Sequence, residues 1–227
     1  MKSMSTVIIL LVVFLAAGNT AAQTSAGPSF SAGVTLGYNG GTGGQLFAAI
    51  SNFASGFPLS VKGSFGYTSV EPGNAADARR IFINNATNGI PEESGQIIDF
   101  RLDFLYPVRL LGMKQAFIVG GPRYSRFKAN FKYIGGNEDF DVKSNAWGFG
   151  LGLETYFPMS RSLDLMLSGS LTHFPKATLT GHDTSYSPDG DDINPREDYT
   201  YETADEAINQ PKNEISLMLG VAYTFGR

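Results

Sequence analysis

Two histidines, no cysteine and a scatter of carboxylates are what this sequence offers for chemistry. His173 could act as a general base if a hydroxyl nucleophile or a carboxylate stood within hydrogen-bond reach. Phe174 and Pro175 follow it, and no serine or aspartate has a clear claim on it. His182-Asp183 is an acid–histidine pair inside the segment 177–211, which carries Asp183, Asp189, Asp191, Asp192, Glu197, Asp198, Glu202, Asp205 and Glu206 against Arg196. Asp189-Gly190-Asp191-Asp192 has the oxygen ligands that calcium favours, without the spacing of an EF-hand loop. The expectation is a solvated, partly mobile surface loop, with a divalent-cation site or a partner-binding loop as the alternatives. A second charged set, Lys62, Asp99, Arg101, Asp103, Glu154 and Asp164, is spread over segments that are otherwise uncharged. The lack of cysteine excludes a thiolate metal site, a disulfide framework and a lipoprotein anchor. No catalytic, cofactor-binding or metal-ligating constellation emerges. With a net charge of −4 and no basic stripe, nucleic acid is not an expected partner.

The elements that must position these charges are read from periodicity. Residues 1–22 are set aside first. Lys2, the apolar run Val7–Leu15 and Thr20-Ala21-Ala22 before Gln23 read as a signal peptide with a small-residue cleavage site. Residues 23–227, about 205 in number, then form one domain. They fall into segments of roughly ten residues with strict period-two alternation. Ile215, Leu217, Leu219, Val221, Tyr223 and Phe225 oppose Glu214, Ser216, Met218, Gly220, Ala222 and Thr224. Leu163, Leu165, Leu167 and Leu171 oppose Asp164, Met166, Ser168, Ser170 and Thr172; Trp147, Phe149, Leu151 and Leu153 oppose Gly148, Gly150, Gly152 and Glu154. Segments at 30–38, 59–68 and 98–106 behave alike, placing Lys62, Asp99, Arg101 and Asp103 on the polar face. The parity of 44–51 is ambiguous, and Gly120-Gly121-Pro122 reads as a bulge. Beyond it Phe127, Phe131 and Tyr133 alternate with Arg126, Lys128 and Lys132, so that strand projects past the others. Short connections near 52–57, 107–113 and 158–161 alternate with a Gly-rich turn at 39–44, a tip at Gly135-Gly136-Asn137, and long segments at 71–94 and 177–211.

About eight strands result, and no later apolar stretch reaches the length of a spanning helix, so membrane insertion must use strands. Composition decides which face lies outside. A soluble exterior carries many Lys and Glu. Here the polar face is mostly Gly, Ser, Thr and Ala, suited to a narrow filled lumen, while Leu, Val, Ile and large aromatics fill the other. Phe57, Tyr106, Tyr156, Phe157, Tyr223 and Phe225 gather at one set of strand ends, and Tyr38, Tyr67 and Trp147 at the other, as two interfacial girdles. The fold class expected is all-β: an eight-stranded antiparallel transmembrane up-and-down barrel in the bacterial outer membrane, both termini in the periplasm. Lys62 should lie across from Asp103 and, with Arg101, form an interior salt-bridge network, since lumenal charges must pair to offset desolvation.

The chain resembles the small bacterial outer-membrane β-barrels, the group that includes the OmpA transmembrane domain and the OmpX and OmpW-like barrels. The resemblance spans residues 23–227 as a pattern, and its most specific part is Gly220-Val221-Ala222-Tyr223-Thr224-Phe225. Gly220, Tyr223 and Phe225 are similar to the final-strand signal read by the barrel-assembly machinery, although Met218 stands where a polar residue is usual and Gly226-Arg227 follow Phe225. The resemblance implies outer-membrane lipid, lipopolysaccharide and the assembly machinery as partners, no cofactor, and a role in envelope integrity or surface contact. Lipid A deacylases of this kind pair a histidine at the height of His173 with a serine two residues on, where Pro175 stands here. Outer-membrane proteases with acid–histidine pairs like His182-Asp183 are larger and more acidic at the rim. A lipid-modifying barrel enzyme and a narrow pore or transporter of small hydrophobic solutes are the alternatives.

Overall fold

The computed structural model describes residues 27–54, 56–83, 88–110 and 113–226. The expected signal peptide, 1–22, lies outside them. Eight strands build the wall: β1 (Ser29–Asn39), β2 (Thr42–Ser51), β3 (Ser60–Val70), β4 (Ile90–Leu110), β5 (Met113–Ile134), β6 (Asp139–Pro158), β7 (Leu163–His173) and β10 (Asn213–Thr224). Two-residue strands β8 (Leu179–Thr180) and β9 (Ser185–Tyr186) lie between β7 and β10. β1 to β7 pair antiparallel in chain order, and β7 pairs with β10. β10 then returns to β1, from Ser31↔Thr224 to Asn39↔Ser216, and closes the ring. Closure leaves no wall strand with a free row of amides, which a strand in hydrocarbon cannot tolerate.

The alternation sorts the faces. Leu36, Leu46, Leu167, Leu171, Leu217 and Leu219 are exposed on the outside, while Thr35, Lys62, Asp99, Arg101, Asp103, Glu154 and Asp164 are buried inside. A soluble barrel has the reverse arrangement. In β2, Leu46 points outward and Phe47 inward, where it packs over the site of Gly33. A side chain at Gly33 would collide with that ring.

Short connections and both described chain ends gather at one rim, the turn end. At the other rim, the loop end, β1–β2 turn through Gly40-Gly41, with Gly40 in the left-handed region at φ 70. The expected bulge at Pro122 is not there. Arg101↔Arg123 and Phe104↔Gly120 keep one register on either side, and the ladder to β4 skips Leu102 and Asp103. Proline has no N–H to donate, so pairing is lost locally without an inserted residue. The register irregularity lies instead between Val108 and Leu110.

β4, β5 and β6 run 21, 22 and 20 residues, about twice the others, and project beyond the loop end. Along the inward face of β5, polar Arg123 and Ser125 give way to Phe127, Ala129, Phe131 and Tyr133, all buried. The connections cover this apolar stretch. Helix α1 (Ala75–Phe82), capped by the Asn74 side chain accepting from the Asp77 amide at 3.1 Å, buries Ala75, Ala78, Arg79 and Phe82 on one face. Helix α2 (Tyr201–Ala207) buries Tyr201, Ala204 and Ala207. With Phe140, Val142, Leu179, Tyr186 and Ile208 they form one core. The segment 177–211 is therefore a packed part of a loop-built head, not the solvated loop expected from its charge. Most of its acids stay at the surface, Asp205 being the exception, while Leu179, Tyr186, Tyr201 and Ile208 supply the burial.

Phe131, fully buried, is the head's most diagnostic side chain. Phe131→Ala should cost about 3–5 kcal/mol of head stability. Limited proteolysis should then cut within 174–212 much faster than in the parent, with the barrel still resistant. Unchanged cutting rates would contradict a packed head.

Candidate functional site

Two regions carry the chain's buried polar groups: the lumen and the head. In the lumen the wall positions inward-facing charges on four successive strands. β3 presents Lys62, β4 presents Asp99, Arg101 and Asp103, β5 presents Arg123, and β6 presents Glu154. Lys62 sits opposite Asp103 in the ladder, as the spacing implies. Its ammonium, however, crosses the lumen to Glu154, and Asp103 pairs with Arg123 at 2.7 Å. Arg101 pairs with Asp99 on its own strand. The network expected among Lys62, Arg101 and Asp103 is thus replaced by three pairs with other partners.

The physical reason is reach. A lysine directly across from an aspartate on adjacent strands can extend over the lumen to a second carboxylate, whose other oxygen already accepts from Tyr156. The Phe47 ring lies 5.5 Å below the Lys62 ammonium and adds a cation–π contact. With its carboxamide turned so that the oxygen faces Arg101, Gln45 accepts from both terminal guanidinium nitrogens at 3.1 Å. Asp164, also buried, lies nearer the turn end, beside Met166.

Arg123, Tyr156 and Gln45 are site residues that the sequence reading misses. Arg123 follows Gly120-Gly121-Pro122, which looks like an interruption. Steps of two from Val119 through Gly121, Arg123 and Ser125 to Phe127 are the signal that places it inward. Tyr156 is corrected more sharply: it does not belong to the lipid-facing girdle at the turn end but turns inward to Glu154. Polar residues and Phe47, Val119 and Met166 leave a void of about 20 Å³ between them. That is room for about one water at this place in the lumen.

In the head, Arg79 is buried, paired with Glu138 and stacked 4.8 Å from the Tyr133 ring, whose hydroxyl donates to the Ala75 carbonyl at 2.8 Å. Tyr186 meets Phe82 edge-on at 5.6 Å and donates to the Ile81 carbonyl. Burial pushes its phenol up from the ordinary value. Gln210 donates to Tyr201 at 3.1 Å and to Asp205 at 2.7 Å, which ties the loop exit to α2. In the segment 189–192, where a cation site is the alternative to a solvated loop, two acids bond to their own loop: Asp189 accepts from Ser187 Oγ at 2.5 Å and Asp192 from the Ser187 amide at 2.7 Å. Among the described residues no group of three or more His, Asp or Glu could hold a metal ion. His173 Nδ1 lies 2.8 Å from Asn213 Oδ1, and His182 sits 3.7 Å from Asp183 with both side chains exposed. Gly220 faces inward against Thr35, while Tyr223 and Phe225 stand outward at the turn end, their rings 5.1 Å apart.

A closed antiparallel eight-stranded barrel with an apolar exterior and a charged, filled lumen defines a small bacterial outer-membrane β-barrel, and this chain is one. It is similar to a major outer membrane protein from Thermus thermophilus, at TM-score 0.71 and 25% identity over 88% of this chain and 100% of that one. Weaker likenesses extend to Ail, the attachment invasion locus protein of Yersinia pestis (TM-score 0.47, 14% identity, 87% and 97% covered), and to Neisserial surface protein A (TM-score 0.40, 10% identity, 88% and 99% covered). No family model matches the chain, and no curated protein is significantly similar to it.

The cross-lumen pair yields a direct test. Glu154→Gln strands a buried ammonium and should cost about 3–5 kcal/mol. Lys62→Met combined with Glu154→Gln should recover most of that loss in urea unfolding from lipid vesicles. Equal losses for the single and double variants would remove Lys62–Glu154 from the account.

Proposed function

We propose that the protein is a non-enzymatic outer-membrane barrel whose wall anchors a folded head at the cell surface, serving envelope integrity or surface contact. The observation that carries this reading is the division of labour between the two regions. Paired charges cross the lumen and leave room for about one water where Lys62, Arg101, Arg123 and Glu154 meet, whereas the long connections build a head with a core of its own. A conducting or transporting barrel needs a continuous water path. A lipid-modifying enzyme needs a nucleophile or carboxylate on His173, and the partner of that ring is the Asn213 amide.

The orientation follows from the lengths of the connections: both termini and the tight turns face the periplasm, and the head faces outward. Gly220, Tyr223 and Phe225 serve as the assembly signal, Gly220 letting β1 approach and the two rings presenting an aromatic end to the machinery. Outer-membrane lipid and lipopolysaccharide surround the wall.

Because the chain has no cysteine, orientation can be read with one introduced thiol. Asn137→Cys, at the β5–β6 tip, should react with a membrane-impermeant maleimide in intact cells. Labelling only after the outer membrane is permeabilised would reverse the orientation and end the surface-contact reading. In planar bilayers the purified chain should show no stepwise conductance; regular open-channel steps would favour the pore instead. Phe225→Ala should lower the yield of assembled barrel several-fold in cells, and an unchanged yield would remove it from the signal.

A further inference from the structure

Among the described residues the lumen holds more acid than base. Lys62, Arg101 and Arg123 are its three buried cations, against five buried carboxylates: Asp99, Asp103, Glu154, Asp164 and Glu214. Asp99, Asp103 and Glu154 take the three cations. Glu214 stands apart at the loop end of β10, only 8% exposed. Among the described residues its carboxyl has neither an ion pair nor a hydrogen bond. The seam of the ring lies directly over it. Asn39 faces Ser216 across the β1–β10 ladder, and Glu214 is the next inward residue beyond Ser216. Gly40, in the β1–β2 turn, donates to the Ile215 carbonyl at 3.2 Å. A side chain at Gly40 would come within 3.1 Å of a Glu214 carboxyl oxygen.

This rim is short of donors. Asn39 Oδ1 and Asp99 Oδ2 are buried acceptors without a partner. The Asn39 amide nitrogen is spent on Thr68 Oγ1 at 3.2 Å. Charges act on Glu214 from β4: Arg101 attracts its ionised form and Asp99 repels it. Arg101, however, is already committed to Asp99 and, through its terminal nitrogens, to Gln45. β1, β3 and β7 present Asn39, Thr68 and Thr172 here, none of which titrates. Taking a carboxylate out of water with no donor to replace the lost bonds is costly, and such a group escapes the cost by taking up a proton. The proton is then the donor that the rim lacks.

We propose that Glu214 is a proton-operated latch at the loop end of the seam, which holds the β1–β2 turn onto β10 while neutral and loosens it when ionised. An ionised Glu214 faces Asp99 with no free cation beside it and draws water in under Gly40. The pairing of Asn39 with Ser216 gives way first, being the last rung of the β1–β10 ladder. Acid tightens the closure beneath the head and base relaxes it. The sign follows from linkage: a carboxyl that keeps its proton more firmly folded than unfolded gives stability that is complete below the ordinary carboxylate range and is lost as pH rises through its folded ionisation. The latch requires the closed wall and is independent of the leaflet that the head faces.

The test is urea unfolding of the full chain in lipid vesicles, parent against Glu214→Gln, from about pH 5 to about pH 9. Glutamine mimics the neutral carboxyl, so the two should match at the acid end. At the alkaline end the folded-to-unfolded ratio should favour the variant by at least roughly tenfold. Parallel profiles overturn the proposal, and so does a variant weaker than the parent at the alkaline end, since an ionised, paired Glu214 would behave that way. Infrared absorption gives a second readout on the folded parent. At neutral pH it should show the C=O stretch of a protonated carboxyl, fading as the pH is raised and missing from Glu214→Gln. A parent without that band overturns the latch whatever the variant does. Recovery of the alkaline loss by sodium chloride, but not by choline chloride at equal concentration, would place a bound cation beside Glu214 and overturn the proton assignment.

Discussion

Everything in this structure depends on one constraint: in hydrocarbon, no backbone amide or carbonyl of the wall can go without a partner. The β1–β10 ladder meets it. Nine paired positions between Ser31 and Asn39 join the first strand to the last. Those pairings bring together the two ends of the described chain, so the ring exists only once the whole wall is made. Gly220 sits against the Val34–Thr35 backbone at this seam, where a side chain would collide. Closure also fixes the inside and outside of every other strand, because period-two alternation leaves no further choice once the seam's register is set.

A closed eight-stranded ring has an interior only wide enough for side chains. The lumen consequently cannot solvate its charges with bulk water, and they solve the problem pairwise. Lys62 reaches across to Glu154, Arg123 takes Asp103, and Arg101 takes Asp99. Tyr156 and Gln45 satisfy remaining acceptor and donor sites. Each pair is weak evidence for stability in itself, but each is costly to break on one side. The paired charges thus fill the lumen where Lys62, Arg101, Arg123 and Glu154 meet.

The wall is legible in the sequence because alternation is a local property. Ile215, Leu217 and Leu219 announce a lipid face wherever their strand lies, with no long-range knowledge needed. Which acid Lys62 chooses is not local, since Glu154 is ninety-two residues away. Arg123 is hidden by the Gly-Gly-Pro that precedes it, a local breaker signal overridden by a ladder continuing through it on the β6 side. The head is the least legible part. Leu179 and Tyr186 follow no strand or helix period, Tyr201, Ala204 and Ile208 mark only two helical turns, and the acids around them give the segment the look of a solvated loop. Their burial is set by Phe127, Phe131 and Phe140 on strands that outgrow the barrel.

The central claim is a closed barrel with its apolar face outward, and heat-modifiability on a gel tests it most directly. Unboiled protein from the outer-membrane fraction should stay folded in detergent and migrate differently from the boiled sample, since a ring without a free edge does not unravel until heated. Identical mobility before and after boiling, with the protein recovered in the soluble fraction, would contradict the barrel's closure and its place in the membrane together.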